Sequence, residues 1–134
     1  MADRPVLDSD VLIDYLRAAG PGHALVARLR SSLAYRVTAI SAFELALGRS
    51  YARDPRPVLA VLAVPHLALT RSAAVRAGAL LRSLRAEGRP IDVRDAMQAG
   101  ICLDGDVALV TRNVRHFERV PGLRVLNPLA VSSP

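Results

Sequence analysis

The stretch "VLDSDVLIDYL", residues 6–16, decides how this chain is read. An apolar run closes on one carboxylate, Asp8, and a second follows at Asp10. Beyond them the apolar residues fall at Val11, Leu12, Tyr15 and Leu16, the spacing of one face of a helix. A short buried strand that hands over at once to an amphipathic helix is the opening unit of an α/β sheet. It leaves a question about Asp8, which is either a helix cap or part of a site that needs concentrated negative charge.

The same handover recurs along the chain. "RPVLD" (4–8) predicts the first strand, and "SDVLIDYLRAAG" a helix stopped by Gly20. Residues 22–33 follow as a second amphipathic helix, with Leu25, Val26 and Leu29 on one side. A strand over 35–40, a helix over 41–52 and a helical segment over 56–64 come next, then a strand over 66–69. The most regular helix spans 70–88, between a Thr start and a Gly stop, and another spans 92–105. A strand over 107–111, a helical turn over 114–120 and a last strand over 123–127 complete the pattern. Strands alternating with helices predict a single α/β domain over 1–134, a central parallel sheet of four to five strands between helical layers. In such sheets ligands bind off the carboxyl ends of the strands, which says where to look for a site.

Composition narrows the classes. Of 134 residues 51% are hydrophobic but only 4% aromatic, so the core is aliphatic. No apolar run is long enough to span a bilayer, and "MADRPVLDSD" lacks the apolar region of a secretory signal. A single cysteine, Cys102, allows no internal disulfide and suits a reducing cytosol, so a cytoplasmic protein is expected. Cys102 lies in the apolar run "AGICL" and reads as a core residue. The net charge is +6 and every one of the 18 basic residues is arginine. That surplus attracts nucleic acid or an acidic partner, although a basic surface by itself decides nothing. His23, His66 and His116 show no ligand spacing with one another or with Cys102, which disfavours zinc; each reads as a surface or packing residue.

Asp8, Glu44 and Asn113 all fall where strands end, and Asp95 joins them if its helix starts at the same edge. Capping accounts for several of these positions one at a time. "SAFE" matches a capping box that would turn Glu44 back to Ser41; Asp92 fits an N-cap of the following helix; Asn113 could cap "VRHF" and Asp10 the first helix. Capping leaves unexplained why an acid stands on the strand side at Asp8. The other explanation is a divalent-metal site. Two carboxylates about 4 Å apart repel by roughly 4 kcal/mol at an effective dielectric near 20, so several gathered together call for a cation. Hard oxygen donors without His or Cys select Mg²⁺ or Mn²⁺, ions suited to phosphoryl chemistry.

The segments "VLDSDVLIDYL", "TAISAFELALG", "RPIDVRDAMQAGICL" and "VALVTRNVRHFERVPGLRVLNP", in this order, resemble the PIN-domain family, specifically the toxin ribonucleases of VapBC toxin–antitoxin modules. The likeness runs from Pro5 to Pro128. It implies a Mg²⁺-dependent endoribonuclease, with Mn²⁺ able to substitute, that hydrolyses RNA phosphodiester bonds. The family's first acid falls on Asp8, the second on Glu44 and the third on Asp95, and these three would hold the metal. The place of a fourth acid is taken by Asn113, which adds no charge; a second ion is left open, with Asp92 or Asp10 as substitutes. Thr111 would orient the site through its hydroxyl, and Arg112, Arg115 and Arg94 would contact the RNA backbone. The resemblance also implies a cognate antitoxin, and a homodimer or toxin–antitoxin hetero-oligomer. Single-stranded or loop RNA is the expected target, because a duplex hides its major groove.

Two rival readings stand beside it. "VLDSDVLID" also resembles the nucleophile motif of haloacid-dehalogenase-type phosphatases, with Asp8 attacking phosphorus and Asp10 as general acid/base. The other is a non-catalytic PIN-like module that only binds RNA or protein, which the Asn113 substitution leaves open.

Overall fold

The structure is a computed structural model and describes residues 4–131. In chain order the elements are β1 (Val6–Leu7), α1 (Ser9–Arg17), α2 (Gly22–Arg30), β2 (Val37–Thr38), α3 (Ala39–Leu47), α4 (Arg49–Arg53) and α5 (Pro55–Val61). There follow β3 (His66–Leu67), α6 (Arg71–Ala86), α7 (Val93–Asp104), β4 (Leu109–Val110), α8 (Val114–Phe117), β5 (Val125–Leu126) and a 3₁₀ turn at Pro128–Ala130. Every expected element is present. The strands are shorter than their apolar runs, and at β1 and β2 the next residue or the last one is spent on a helix cap, Asp8 and Thr38. Thr38 ends β2 and its side chain accepts from Ser41 N at 3.1 Å, so Ala39 and Ile40 join the helix and not the strand. The helix expected over 41–52 breaks at Gly48, whose extended backbone (φ −82°, ψ 170°) separates α3 from α4.

All strand pairings are parallel. β1 pairs with β4 (Val6 opposite Leu109) and β4 with β5 (Leu109 opposite Val125), while β2 pairs with β3 (Val37 opposite His66). A parallel bridge between Val6 and Arg36 joins the two ladders, so the strand order across the molecule is β3-β2-β1-β4-β5. Leu7 N donates to Arg36 O at 3.0 Å and Arg36 N to Pro5 O at 2.9 Å along that seam.

Strand side chains alternate between faces, and the core divides accordingly. Leu7 and Val110 belong to one cluster with Val11, Leu12, Leu25, Val26, Tyr35 and Val58 under α1, α2 and α5. Val6 and Leu109 belong to the other, with Leu81, Leu84, Ala99, Cys102 and Phe117 under α6, α7 and α8. This is the expected three-layer arrangement. Cys102 is fully buried in it, and burial pushes its thiol up to about 12. α6 and α7 pack closely because Gly100 has no side chain: a Cβ there would stand 2.7 Å from the Ala73 carbonyl oxygen.

Candidate active site

The parallel sheet brings three strand-to-helix junctions to one edge. Asp8 follows β1, Thr38 closes β2 and Thr111 follows β4. Asp8 is both of the things its position suggested. As N-cap of α1 its Oδ1 accepts from Ser9 N at 2.9 Å. It is also buried, 8% exposed, and hydrogen-bonded to groups far away in sequence. Thr111 Oγ1 donates to Oδ2 at 2.8 Å, the orienting role expected of that hydroxyl, and Gln98 Nε2 donates to Oδ1 at 3.1 Å. All three donors are uncharged.

Around Asp8 the other acids gather at graded depth. Asp10 lies in the first turn of α1 without capping it; its Oδ2 accepts from Arg112 N at 3.1 Å, and Oδ1 is buried with no hydrogen-bond partner. The Ser41–Glu44 capping box does not form, because Thr38 caps α3 and puts Glu44 in the second turn. Glu44 Oε1 accepts from Ser9 Oγ at 3.0 Å, and its Oε2 lies 3.8 Å from Arg94. Asp95 stands in the first turn of α7, with Oδ2 3.5 Å from His116 Nδ1. Asp92 is the cap of α7 that its sequence suggested, accepting from Arg94 N at 2.8 Å. Asn113 begins α8 but its side chain makes no cap hydrogen bond and is exposed. Arg115 is exposed nearby. Arg112 Nη1 is bound to the buried Asp14 at 2.9 Å, and its side chain is about half exposed.

Burial and mutual repulsion show in the proton affinities. Desolvation, then the charge of Asp10, pushes Asp8 from 3.8 up to about 7, against the lowering effect of Thr111 and Ser9; Glu44 adds a smaller upward push. Desolvation is also the leading cause of the upward shifts at Asp10, Glu44 and Asp95, and Glu44 and Asp95 are each raised further by neighbouring carboxylates. Among the described residues no three His, Cys, Asp or Glu side chains are grouped closely enough to hold an ion by themselves. The acids therefore converge on one edge without forming a closed cage. An all-oxygen donor set, raised proton affinities and a buried Asp10 oxygen without a partner fit a hard divalent ion that keeps several waters and binds through one or two carboxylates.

Beside Glu44 opens a cavity of about 190 Å³ lined by Ile13, Arg17, Leu45, Gly48, Arg49 and Ser50. Sequence reading missed it, since its two arginines come from separate helices. It also missed Ser9, Thr38, Ser41 and Gln98. One signal was present: Gln98 is a polar residue in the apolar run "AMQAGIC".

Residues 6–123 match the PIN domain family. The chain belongs to that family, which removes the dehalogenase-type reading of Asp8 and Asp10. Within it, the tRNA(fMet)-specific endonuclease VapC of Shigella flexneri is 32% identical over 93 residues, 66% of this chain and 70% of that protein. The fold is that of two solved complexes. VapBC from Salmonella typhimurium, bound to DNA, superposes with a TM-score of 0.77 at 21% identity, over 95% of this chain and 99% of that one. VapBC2 from Rickettsia felis, bound to a promoter DNA fragment, gives 0.74 at 16% identity, over 91% and 96%. Among the described residues no helix is long and apolar enough to cross a membrane.

Proposed function

We infer that this chain is a metal-dependent endoribonuclease that acts in the cytoplasm as the toxin of a type II toxin–antitoxin module, with Mg²⁺ as its ion and Mn²⁺ able to substitute. The observation that carries the reading is Asp8: a carboxylate buried at the carboxyl edge of the sheet, crowded by Asp10 and Glu44, in a chain of the PIN-domain family. The relatives' activity as endonucleases supports RNA cleavage here, and tRNA is the first substrate to test.

Asp8, Glu44 and Asp95 would hold the ion, one or two of them directly and the rest through its waters, with Asp10 as the carboxylate that would stand in for the missing fourth acid. When bound, the ion offsets their charge and that developing on the phosphate. Thr111 and Gln98 keep the Asp8 carboxylate in one orientation through both of its oxygens. Ser9 does the same for Glu44. Arg94, already beside Glu44, and the exposed Arg115 face an incoming strand, and Asn113 offers an amide to it. Arg112 serves differently, as a brace: its side chain is tied to Asp14 while its backbone N–H holds Asp10. Arg17 and Arg49 in the cavity beside Glu44 extend the cationic track along the strand.

The partner is a cognate antitoxin, in keeping with the VapBC complexes that share the fold. Phe43 and Leu47 on α3 are 55% and 68% exposed next to Glu44, an apolar face suited to an antitoxin helix. Expression in a bacterial host is expected to arrest growth and release tRNA fragments, and Asp8→Asn to do neither while remaining folded. Unchanged growth and intact RNA with the folded wild-type protein would overturn the reading in favour of a binding module.

A further inference from the structure

We propose that Gln98 is a positioning residue for the metal site: its carboxamide locks Asp8 to the helices that carry Glu44 and Asp95. The inference rests on the reading of the carboxyl edge as a metal site and names a residue outside the acids themselves.

Gln98 is 1% exposed, a primary amide in the middle of an aliphatic layer. Such a group is costly there unless its hydrogen bonds are made, and three of them are. Nε2 donates to Asp8 Oδ1 at 3.1 Å and to Ser41 Oγ at 2.9 Å, while Oε1 accepts from Thr38 Oγ1. The neighbours favour this orientation of the amide. Thr38 Oγ1 already accepts from Ser41 N at 3.1 Å, so its proton is free for the amide oxygen. The amide nitrogen must then face the carboxylate, which only accepts when ionised.

This one side chain joins three elements. It rises from α7, three residues after Asp95, so both lie on one face of that helix. It grips the first turn of α3, the helix of Glu44, through Thr38 and Ser41. And it ends on Asp8, after β1. Ser9 ties Glu44 to the residue beside Asp8 and Arg94 lies 3.8 Å from Glu44, but Gln98 is the buried side chain of the Asp95 helix that reaches Asp8 itself. Partners behind a ligand carboxylate tune metal affinity by fixing its orientation, on a scale of roughly 10- to 100-fold.

Gln98→Met separates this role from packing, since methionine fills similar space but donates nothing. With the full chain, Mn²⁺ affinity is read directly from the free-Mn²⁺ resonance, alongside kcat and KM for an RNA oligonucleotide. The expected result is Mn²⁺ binding weakened about tenfold or more, kcat lowered and KM little changed, in a protein that still melts cooperatively in chelator. Mn²⁺ affinity and kcat equal to wild type overturn the proposal and leave the nuclease reading intact. A wild-type protein that binds no Mn²⁺ and cuts no RNA overturns both. Should Gln98→Met fail to fold, Ser41→Ala removes one anchor of the same amide; a smaller loss in the same direction supports the proposal, and none overturns it.

Discussion

The two ends of the sheet carry the same kinds of side chain in opposite circumstances. At the amino end, before β4 and β5, Asp106 is 97% exposed and lies 3.6 Å from Arg124, and Arg76 lies 3.7 Å from Asp104. A cavity of about 220 Å³ opens among Arg76, Cys102, Asp106 and Arg124. At the carboxyl end the cavity beside Glu44 is similar in size, yet the acids there are sunk into the protein and Asp8 is held only by uncharged donors. Exposed pairs like those at the amino end contribute between nothing and about 1 kcal/mol. A buried carboxylate without a cation is a standing cost, and folds keep such costs where function needs them. Charge therefore does not distinguish the two ends; burial without a charged partner does, at Asp8.

The sharpest way to break this contrast is to neutralise one acid at each end. Asp8→Asn keeps the shape but removes the charge and turns one accepting oxygen into a donor, and RNA cleavage is expected to fall by at least about 10²-fold, the scale of one lost electrostatic group at a reacting centre. Asp106→Asn is expected to leave cleavage within about twofold and stability within roughly 0.5 kcal/mol. Comparable losses at both ends in a gel-based cleavage assay would erase the distinction.

A second difference concerns protons. The folded state raises Asp8 from 3.8 to about 7, so the native protein binds this proton more tightly than the unfolded chain. The resulting stability is full below 3.8, is lost as pH rises towards about 7, and is level above that. Asp10, Glu44 and Asp95 act in the same direction. In chelator the melting temperature is expected to fall between pH 5 and pH 8. Asp8→Asn flattens the fall, and added Mg²⁺ or Mn²⁺ restores most of the loss at pH 8. A melting temperature that rises with pH in chelator would contradict this account of the carboxyl edge.

The smallest effect belongs to the rim. Replacing Arg17 and Arg49 together by Gln is expected to raise KM for RNA a few-fold with kcat unchanged, and to lower the salt dependence of binding by roughly one to two counterions. The corresponding change at Arg76 and Arg124, at the amino end, is expected to alter neither. Equal effects from the two pairs would mean that only overall charge steers RNA to this protein.

Much of this was legible in the chain. Each strand-to-helix handover leaves a period change and a capping residue, both local, so all the elements and the three-layer order could be read from "VLDSDVLIDYL" outward. The acids at the ends of strands could be placed because a parallel sheet sends every strand end to one edge. What misled was equally local. "SAFE" has the letters of a capping box, but Thr38, one turn earlier, took the cap and freed Glu44 to meet Ser9. Arg112 has the position of an RNA contact, and nothing in the sequence signalled that Asp14, nearly a hundred residues away, would pair with its guanidinium.

The sequence by itself determined the layered α/β fold, the family resemblance and the identity of the acids, because periodicity, caps and residue order act over a few positions. Only the tertiary structure decided how those acids are held. Gln98 reaches Asp8 across 90 positions and Thr111 reaches it across 103. Contacts of that length arise from the packing of whole layers, and burial, which sets both the cost and the chemistry of Asp8, exists only once the layers close.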